Sequence, residues 1–357
     1  MKVIITSPSL NPKENVSGIS SVTQFIISNN KEVEYVHFEV GKKDTESGGT
    51  FNRIRRIWRN RVEWRQLLRQ NKDAVIHYNM PLMGAAVIRD FLLLQVAHIR
   101  KNPVVLHVHG GNYMKNRQRP WLVYRLIDNV FSWAKHIIVL SDEEKSIVEE
   151  DFNVGNVHSL PNCIDLTGAR AYKREFEAKH PLSILYLGRI EKNKGIDYIF
   201  EATKLLKADN VPFTLHLAGK EETEGEYIPK FQAELGERFT YHGVVFGERK
   251  NDLLKQCDVF LLPSFYEGLP MSLIETMSFG MVPVVTNVGS ISSVVTSGEN
   301  GLFVEVKDTD SIVSAIKVLF TDISMVESLS VKARQTILSL FNDKDYVDKL
   351  NTLYGSK

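Results

Sequence analysis

One stretch of this chain gathers the groups that a reaction on an anionic ligand needs: Pro263-Ser264-Phe265-Tyr266-Glu267-Gly268-Leu269-Pro270-Met271-Ser272-Leu273-Ile274-Glu275. The apolar run before it reads as a buried strand, the glycine-containing segment as a loop, and Pro270 suits the first turn of a helix. Backbone N–H groups at a helix start bind anions without help from side chains. Glu267 falls in the loop and Glu275 about one and a half turns into the helix. Two carboxylates so placed can contact opposite ends of one molecule, for example two hydroxylated rings flanking a phosphate. On spacing alone, a helix-capping acid and a solvated surface charge explain them as well.

A second stretch, Gly188-Arg189-Ile190-Glu191-Lys192-Asn193-Lys194-Gly195, also stands between a strand-like run and a helical one. It brings Arg189 and Lys194 to a strand end. A planar fork of donors and a point charge suit a diphosphate, although loops this rich in charge are usually just solvated. In the first half, Ser17-Gly18-Ile19 follows the first run and opens a helix, another place for backbone to approach a phosphate. His107-Val108-His109-Gly110-Gly111 ends the fourth run. Alternation puts both histidines on one face of the strand, with His109 nearer the loop and His107 read as structural. No third ligand stands close in sequence, so no metal site is read here.

Such loops need strands that end where they begin, and the chain supplies them. Short β-branched runs alternate with amphipathic stretches, the pattern of parallel α/β sheets. The runs are residues 3–6, 33–38, 74–78, 104–108 and 137–140, and then 182–187, 213–218, 239–241, 259–262, 282–286 and 302–304. Helical segments such as 19–28 and 82–98 lie between them. Ser141 and Glu144 form a capping box directly after a strand. Residues 161–181 show little apolar periodicity and read as the crossing between domains. The expectation is an α/β protein of two doubly wound Rossmann-like parallel sheets facing a cleft, with ligands outside the carboxyl ends of the strands.

Composition agrees. The chain has 357 residues, 43% apolar and 24% charged, which is globular and long enough for two cores. Net charge is +1, so nothing points to nucleic acid. The charge is unevenly spread: 26 basic against 19 acidic residues through His180 give +7, and 18 against 24 afterwards give −6. Two oppositely charged halves fit two domains with different partners. Cys163 and Cys257 have no CxxC spacing, so neither a disulfide scaffold nor a cysteine zinc site is supported. The opening Met1-Lys2-Val3-Ile4-Ile5-Thr6 reads as a strand and not a signal peptide. No apolar run approaches the roughly 20 residues of a membrane span, so a cytoplasmic protein is expected. There is no GxGxxG after the first strand, no GxxxxGK[ST] and no GxSxG, which argues against dehydrogenases, P-loop enzymes and α/β-hydrolases. Asp308-Thr309-Asp310 reads as an N-cap in preference to a metal-binding pair.

Taken together, these residues resemble the retaining glycosyltransferases of the GT-B fold, in the large family numbered four. The resemblance covers nearly the whole chain. Its most specific mark is the E-x7-E element, Glu267 with Glu275, set in Pro-Ser-x-x-Glu-Gly-x-Pro. Gly188-Arg189 with Lys194-Gly195 is similar to the family's phosphate-binding stretch, and Pro161-Asn162-Cys163-Ile164-Asp165 to its segment at the domain crossing. Residues 346–354 resemble the terminal helix that returns to the first domain. Two places depart from the family: Ser17-Gly18 stands where Gly-Gly is common, and Gly289-Ser290-Ile291-Ser292-Ser293 where Gly-Gly-x-x-Glu is common.

The resemblance implies an acceptor domain over 1–165, a donor domain over 166–341 and a returning helix over 342–357. It further implies a sugar-nucleotide donor, a UDP-sugar in preference to a GDP-sugar. Arg189 and Lys194 would contact the diphosphate and Glu275 the ribose. Glu267 would meet the donor sugar beside the backbone of Gly268, Leu269 and Pro270, the first two offering N–H groups. Gly18 would approach the phosphates, His109 would face sugar and acceptor, and the base would lie near His242-Gly243-Val244, at Val244. His109, Glu267, Arg189 and Lys194 form the implied catalytic set. Retention in this family is thought to proceed on one face of the sugar, with the leaving phosphate helping to deprotonate the acceptor. Cations and N–H dipoles then serve the departing diphosphate, and no obligatory metal or other cofactor is expected.

The acceptor side is read from residues 53–72. Eight basic residues (Arg53, Arg55, Arg56, Arg59, Arg61, Arg65, Arg69 and Lys72) and the single acid Glu63 are interleaved with Ile54, Ile57, Trp58, Val62, Trp64, Leu67 and Leu68. Positions 54, 58 and 62 share a helical stripe, so a basic amphipathic helix lying on an anionic membrane is one reading. A solvated helix packing its apolar face on the sheet is the other. Arg100-Lys101 and Lys115-x-Arg117-x-Arg119 add positive charge. Membrane binding would favour a lipid-linked saccharide acceptor in surface polysaccharide assembly, at the inner face of the membrane. The competing functions are a GT-B sugar-nucleotide 2-epimerase, which needs no acceptor, and a non-catalytic sugar-nucleotide-binding partner subunit. A glycan phosphorylase would need a pyridoxal cofactor and a much longer chain.

Overall fold

The computed structural model describes residues 1–11, 14–15, 17–41, 50–115, 120–175 and 181–355, with backbone alone at 50–54, 112 and 115. The chain divides into two compact units. One comprises Met1–Ile164 with Asp343–Lys357, and the other Asp165–Asn342.

The first unit holds β1 (Lys2–Ser7), β2 (Glu34–Glu39), β3 (Val75–Met80), β4 (Val104–Val108), β5 (His136–Val139) and β6 (Val157–Ser159). Their order is β2-β1-β3-β4-β5-β6, and every pairing is parallel, with Val3 opposite Val75 and Asn79 opposite His107. The second unit holds β7 (Leu182–Leu187), β8 (Phe213–Ala218), β9 (Phe239–Tyr241), β10 (Val259–Leu262), β11 (Val282–Thr286) and β12 (Leu302–Val304). Their order is β12-β11-β10-β7-β8-β9, again all parallel. Both are doubly wound α/β sheets.

The strands read as nearly continuous apolar runs because helices cover both faces of a parallel sheet. Ile4, Ile76, Leu106 and Ile137 in one unit, and Ile184, Leu215, Val259 and Val284 in the other, are fully buried. Each contributes about 1.5–3 kcal/mol of apolar burial. Helix starts follow the sequence signals. Ser17 Oγ accepts from Ser20 N at 3.2 Å and so caps the helix Gly18–Asn29. Ser141 Oγ accepts from Glu144 N at 3.2 Å, while the Glu144 carboxylate reaches back to Leu140 N at 2.9 Å. Asp308 caps the helix Thr309–Thr321, accepting from Asp310 N at 3.0 Å.

The last helix, Asp343–Tyr354, belongs to the first unit. Tyr346 meets Phe25 edge-on at 5.7 Å, Asn30 Nδ2 donates to Asn351 Oδ1 at 2.7 Å, and the Tyr354 hydroxyl lies 2.6 Å from His77 Nδ1. Among the described residues, no helix is long and apolar enough to cross a membrane.

Candidate active site

In the second sheet the winding reverses between β10 and β7, so the loops leaving these two strands diverge and open a crevice at their carboxyl ends. Those loops are residues 188–195 and 263–270, the two stretches singled out by chemistry. They are joined directly. Phe265 N donates to Asn193 O at 2.9 Å. Gly195 has φ +77°, and a Cβ there would stand 2.2 Å from Pro263 O, so only glycine lets the loops meet. Lys192–Lys194 form a single 3-10 turn ahead of the helix Ile196–Ala208.

That contact brings Lys194 onto Glu267. Lys194 Nζ lies 2.8 Å from Glu267 Oε1, and Ser264 Oγ donates to the same oxygen at 2.7 Å. Glu267 Oε2 has no hydrogen-bond partner among the described residues. The helix Met271–Ser278 follows, with Pro270 at its N-cap and no side chain capping it, so its first N–H groups are not used up by a capping residue. Glu275, on that helix, pairs with Lys250 at 2.8 Å, its side chain only 17% exposed. It is therefore not a solvated surface charge. Gly289 closes the loop after β11 over this segment: its φ is +62°, a Cβ would stand 2.1 Å from Glu267 O, and Ser290 N donates to Gly268 O at 3.0 Å.

Arg189 leaves β7 half-buried, its carbonyl accepting from the Tyr186 hydroxyl. Glu191, two residues on, is pushed up to about 7 by burial and then by its hydrogen bond to Glu222 and that residue's charge; Lys194 and Arg189 pull the other way. Val244 follows Gly243 (φ +64°) at the end of β9, and Gly243 O accepts from Gly219 N at 2.8 Å.

In the first unit, Gly18 is the first residue of its helix, directly after the Ser17 cap. His109 follows β4, half-buried. Its Nε2 lies 2.6 Å from Asn79 Oδ1, and its ring is 4.1 Å from that of His107. His107 Nδ1 in turn meets His77 Nε2 at 3.2 Å. Burial keeps all three rings neutral: His77 is pushed down to about 4, His109 to about 3 with the His77 charge adding to the effect, and His107 well below its usual value. Among the described residues, no group of three acids, histidines or cysteines could hold a metal ion.

Two family descriptions match this chain. "Glycosyltransferase Family 4" matches residues 27–167 and "Glycosyl transferases group 1" residues 170–336. The chain belongs to the GT-B glycosyltransferases. A UDP-Gal:alpha-D-GlcNAc-diphosphoundecaprenol alpha-1,3-galactosyltransferase of Escherichia coli is 26% identical over 307 residues, covering 81% of this chain and 77% of that one. Among solved structures, sucrose-phosphate synthase from Thermosynechococcus elongatus superposes with a TM-score of 0.77 at 18% identity, covering 99% and 98% of the two chains. Anabaena HepE in complex with UDP-glucose superposes with a TM-score of 0.73 at 14% identity, covering 99% and 98%.

In this glycosyltransferase the second unit brings Arg189, Lys194, Glu267, Gly268, Leu269, Pro270 and Glu275 to the switch point between β7 and β10, with Val244 at the end of β9. Gly18 and His109 lie on the first unit. Sequence reading missed Lys250, because a lysine among Glu248, Arg249 and Lys250 on an exposed helix gives no sign of a partner on the next helix. It also missed Asn79 and His77, which no motif marks.

The basic segment forms the helix Thr50–Gln70, which packs on a face other than the one that carries Trp58 and Val62. Asn60, Trp64 and Leu68 are buried. Trp64 Nε1 donates to Leu93 O at 3.0 Å, and its ring lies 4.8 Å from Phe38. Trp58 and Val62 are each 63% exposed, on a surface shared with Arg55, Arg59 and Arg65. The Ile54 side chain and residues 117 and 119 lie outside the described residues.

Proposed function

We propose that this glycosyltransferase acts with retention, moving a sugar from a UDP-sugar to a saccharide acceptor carried on a lipid, in the assembly of a surface polysaccharide. The observation that carries the reading is the pairing of Lys194 with Glu267 beside an uncapped helix start at one switch point, with Arg189 at the end of β7. The donor diphosphate is held by Arg189, Lys194 and the N–H groups near Gly268, Leu269 and Pro270, Glu275 holds the ribose, and Val244 lies beside the base. Glu267 orients the donor sugar with the oxygen not taken by Lys194 and Ser264. Gly18 and His109 serve the phosphates and the sugar from the first unit.

The chemistry follows from these groups. The bond from the anomeric carbon to the phosphate oxygen breaks while the acceptor oxygen closes on the same face, and the acceptor proton passes to the departing phosphate. Negative charge grows on the diphosphate, where preorganised cations and dipoles lower the barrier most. Arg189 and Lys194 supply that charge, so no divalent ion is required. The lipid-linked acceptor is supported by the name of the Escherichia coli relative and by the exposed Trp58 and Val62 among arginines, which suit an anionic membrane surface. Incubating the protein with UDP-, GDP- and ADP-sugars and measuring slow hydrolysis without acceptor tests the donor assignment. Hydrolysis confined to UDP-sugars is the expected result; epimerised sugar nucleotide with no hydrolysis would replace the reading by an epimerase.

A further inference from the structure

Asn79 sits at the end of β3, buried, between β1, the helix Gly18–Asn29 and His109. Both hydrogens of its amide are accounted for. Nδ2 donates to Thr6 O at 2.7 Å and to Thr23 Oγ1 at 3.1 Å, and its backbone N–H donates to Thr6 Oγ1 at 3.1 Å. Thr23 Oγ1 has to accept there, because its own hydrogen goes to Ile19 O at 2.8 Å. Both amide hydrogens are therefore committed to the β1 side. A flipped amide would set Oδ1 against a carbonyl and against a hydroxyl whose hydrogen is already used. Hence Oδ1 faces His109, and the 2.6 Å contact has an acceptor on the asparagine side. The ring nitrogen that meets it has to carry the hydrogen.

We propose that Asn79 is a positioning residue that fixes His109 as the Nε2–H tautomer, so that Nδ1 presents a lone pair to a ligand hydroxyl and cannot donate to a phosphate. The inference rests on the reading above that His109 meets the sugar. His77 and His107 are the titratable groups packed beside the ring, and both are held neutral by burial. His109 is thus an acceptor of one hydrogen bond at a fixed angle, selective for an O–H group. Nδ1 has no hydrogen-bond partner among the described residues.

The experiment is a two-bond proton–nitrogen correlation spectrum of uniformly 15N-labelled protein, with His109→Gln to assign the ring. The expected wild-type pattern has the hydrogen on Nε2 and an unprotonated Nδ1. Asn79→Leu should populate the other tautomer and lower turnover of the sugar nucleotide by roughly tenfold or more, with UDP affinity held within about twofold. Thr23→Val removes one acceptor but leaves Thr6 O to hold the amide, so its spectrum and turnover should stay close to wild type. A hydrogen on Nδ1 in the wild type overturns the proposal, and that spectrum stands on its own if Asn79→Leu does not fold. An unchanged tautomer in Asn79→Leu, or equal losses in Asn79→Leu and Thr23→Val, also overturns it. If the wild-type hydrogen is on Nε2 while His109→Ala leaves turnover of every sugar nucleotide unchanged, the role of His109 in the proposed function falls instead.

Discussion

Replacing Lys194 by Met separates two things that its ammonium does. In the structure it lies 2.8 Å from Glu267 Oε1, with side-chain exposures of 24% and 10%. At that distance and an effective dielectric of about 20, the gross attraction is about 6 kcal/mol, most of it cancelled by the hydration both charges give up. Exposed pairs are worth about 0–1 kcal/mol and broken buried pairs cost about 3–5. This pair lies between, so Lys194→Met should lower stability by about 2 kcal/mol, and adding Glu267→Gln should restore at least half of it. Binding gives the second readout. A charge-assisted hydrogen bond to the diphosphate is worth about 1.5–3 kcal/mol, so UDP should bind roughly 10- to 150-fold more weakly while uridine is unaffected. Calorimetry with both ligands decides between the two effects. Equal losses for UDP and uridine would mean that Lys194 shapes the loop and does not meet phosphate. No recovery of stability in the double variant would mean that the stranded Glu267 charge is not what costs.

Four further outcomes are expected. Glu275→Ala should weaken UDP binding itself, whereas Glu267→Gln should leave UDP affinity equal or better, since it frees Lys194, and yet abolish transfer; the opposite pattern in calorimetry would exchange the two carboxylates. Glu191 should make donor binding fall as pH rises through about 7, because the proton it holds when folded is lost there and a negative charge appears beside Arg189 and Lys194. Stability should fall over the same rise, between the ordinary glutamate value and about 7, and Glu191→Gln should flatten both curves when measured with a UDP-sugar, whose esterified phosphates do not titrate near neutrality. Transfer should persist in excess EDTA; loss of turnover that Mg²⁺ or Mn²⁺ restores would overturn the metal-free reading. Binding to anionic vesicles should fall steeply with salt and fall further when Arg55, Arg56, Arg59 and Arg61 become Gln, while Trp58→Ala lowers affinity at an unchanged salt slope; no sedimentation with vesicles at low salt would remove the membrane from the proposal.

What was legible in the sequence was whatever is encoded locally. The strands of the second sheet are short runs rich in apolar and β-branched residues, and the runs at 182–187, 213–218, 239–241, 259–262, 282–286 and 302–304 coincide with β7 to β12. The edge strand β6, Val157–Ser159, escaped because Val-His-Ser carries a single apolar residue, where Phe239–Tyr241 and Leu302–Val304 carry two and three. In the site, Glu267 and Lys194 stood out singly, but their pairing depends on Gly195 allowing one loop to lie on Pro263, a contact across 68 residues that no spacing rule carries. The same limit hid Lys250 from Glu275 and Asn79 from His109. The helix Thr50–Gln70 shows the converse case. Its sequence offers more than one apolar stripe, and only the space beneath Phe38 and Tyr78 selects Trp64 and Leu68 as the packing side.

The pairing of Lys194 with Glu267 also bears on which retaining mechanism these residues favour. A double displacement would ask a carboxylate on the far face of the sugar to attack the anomeric carbon. Glu267 is the acid paired with Lys194 of the loop 188–195, and one of its oxygens already accepts from an ammonium and a hydroxyl. Both contacts draw electron density from the carboxylate and hold it at a fixed angle, which makes it a better hydrogen-bond acceptor for sugar hydroxyls than a nucleophile. Glu275 is similarly tied to Lys250. Among the described residues of the first unit, His109 has a neutral ring and, with Asn79 on Nε2, only Nδ1 to offer. In the proposed function Arg189, Lys194, Glu267 and Glu275 thus bind, orient or stabilise charge on a departing diphosphate. Under the proposed retention, this inventory has the acceptor and the leaving phosphate share the reacting face, with the proton moving between them.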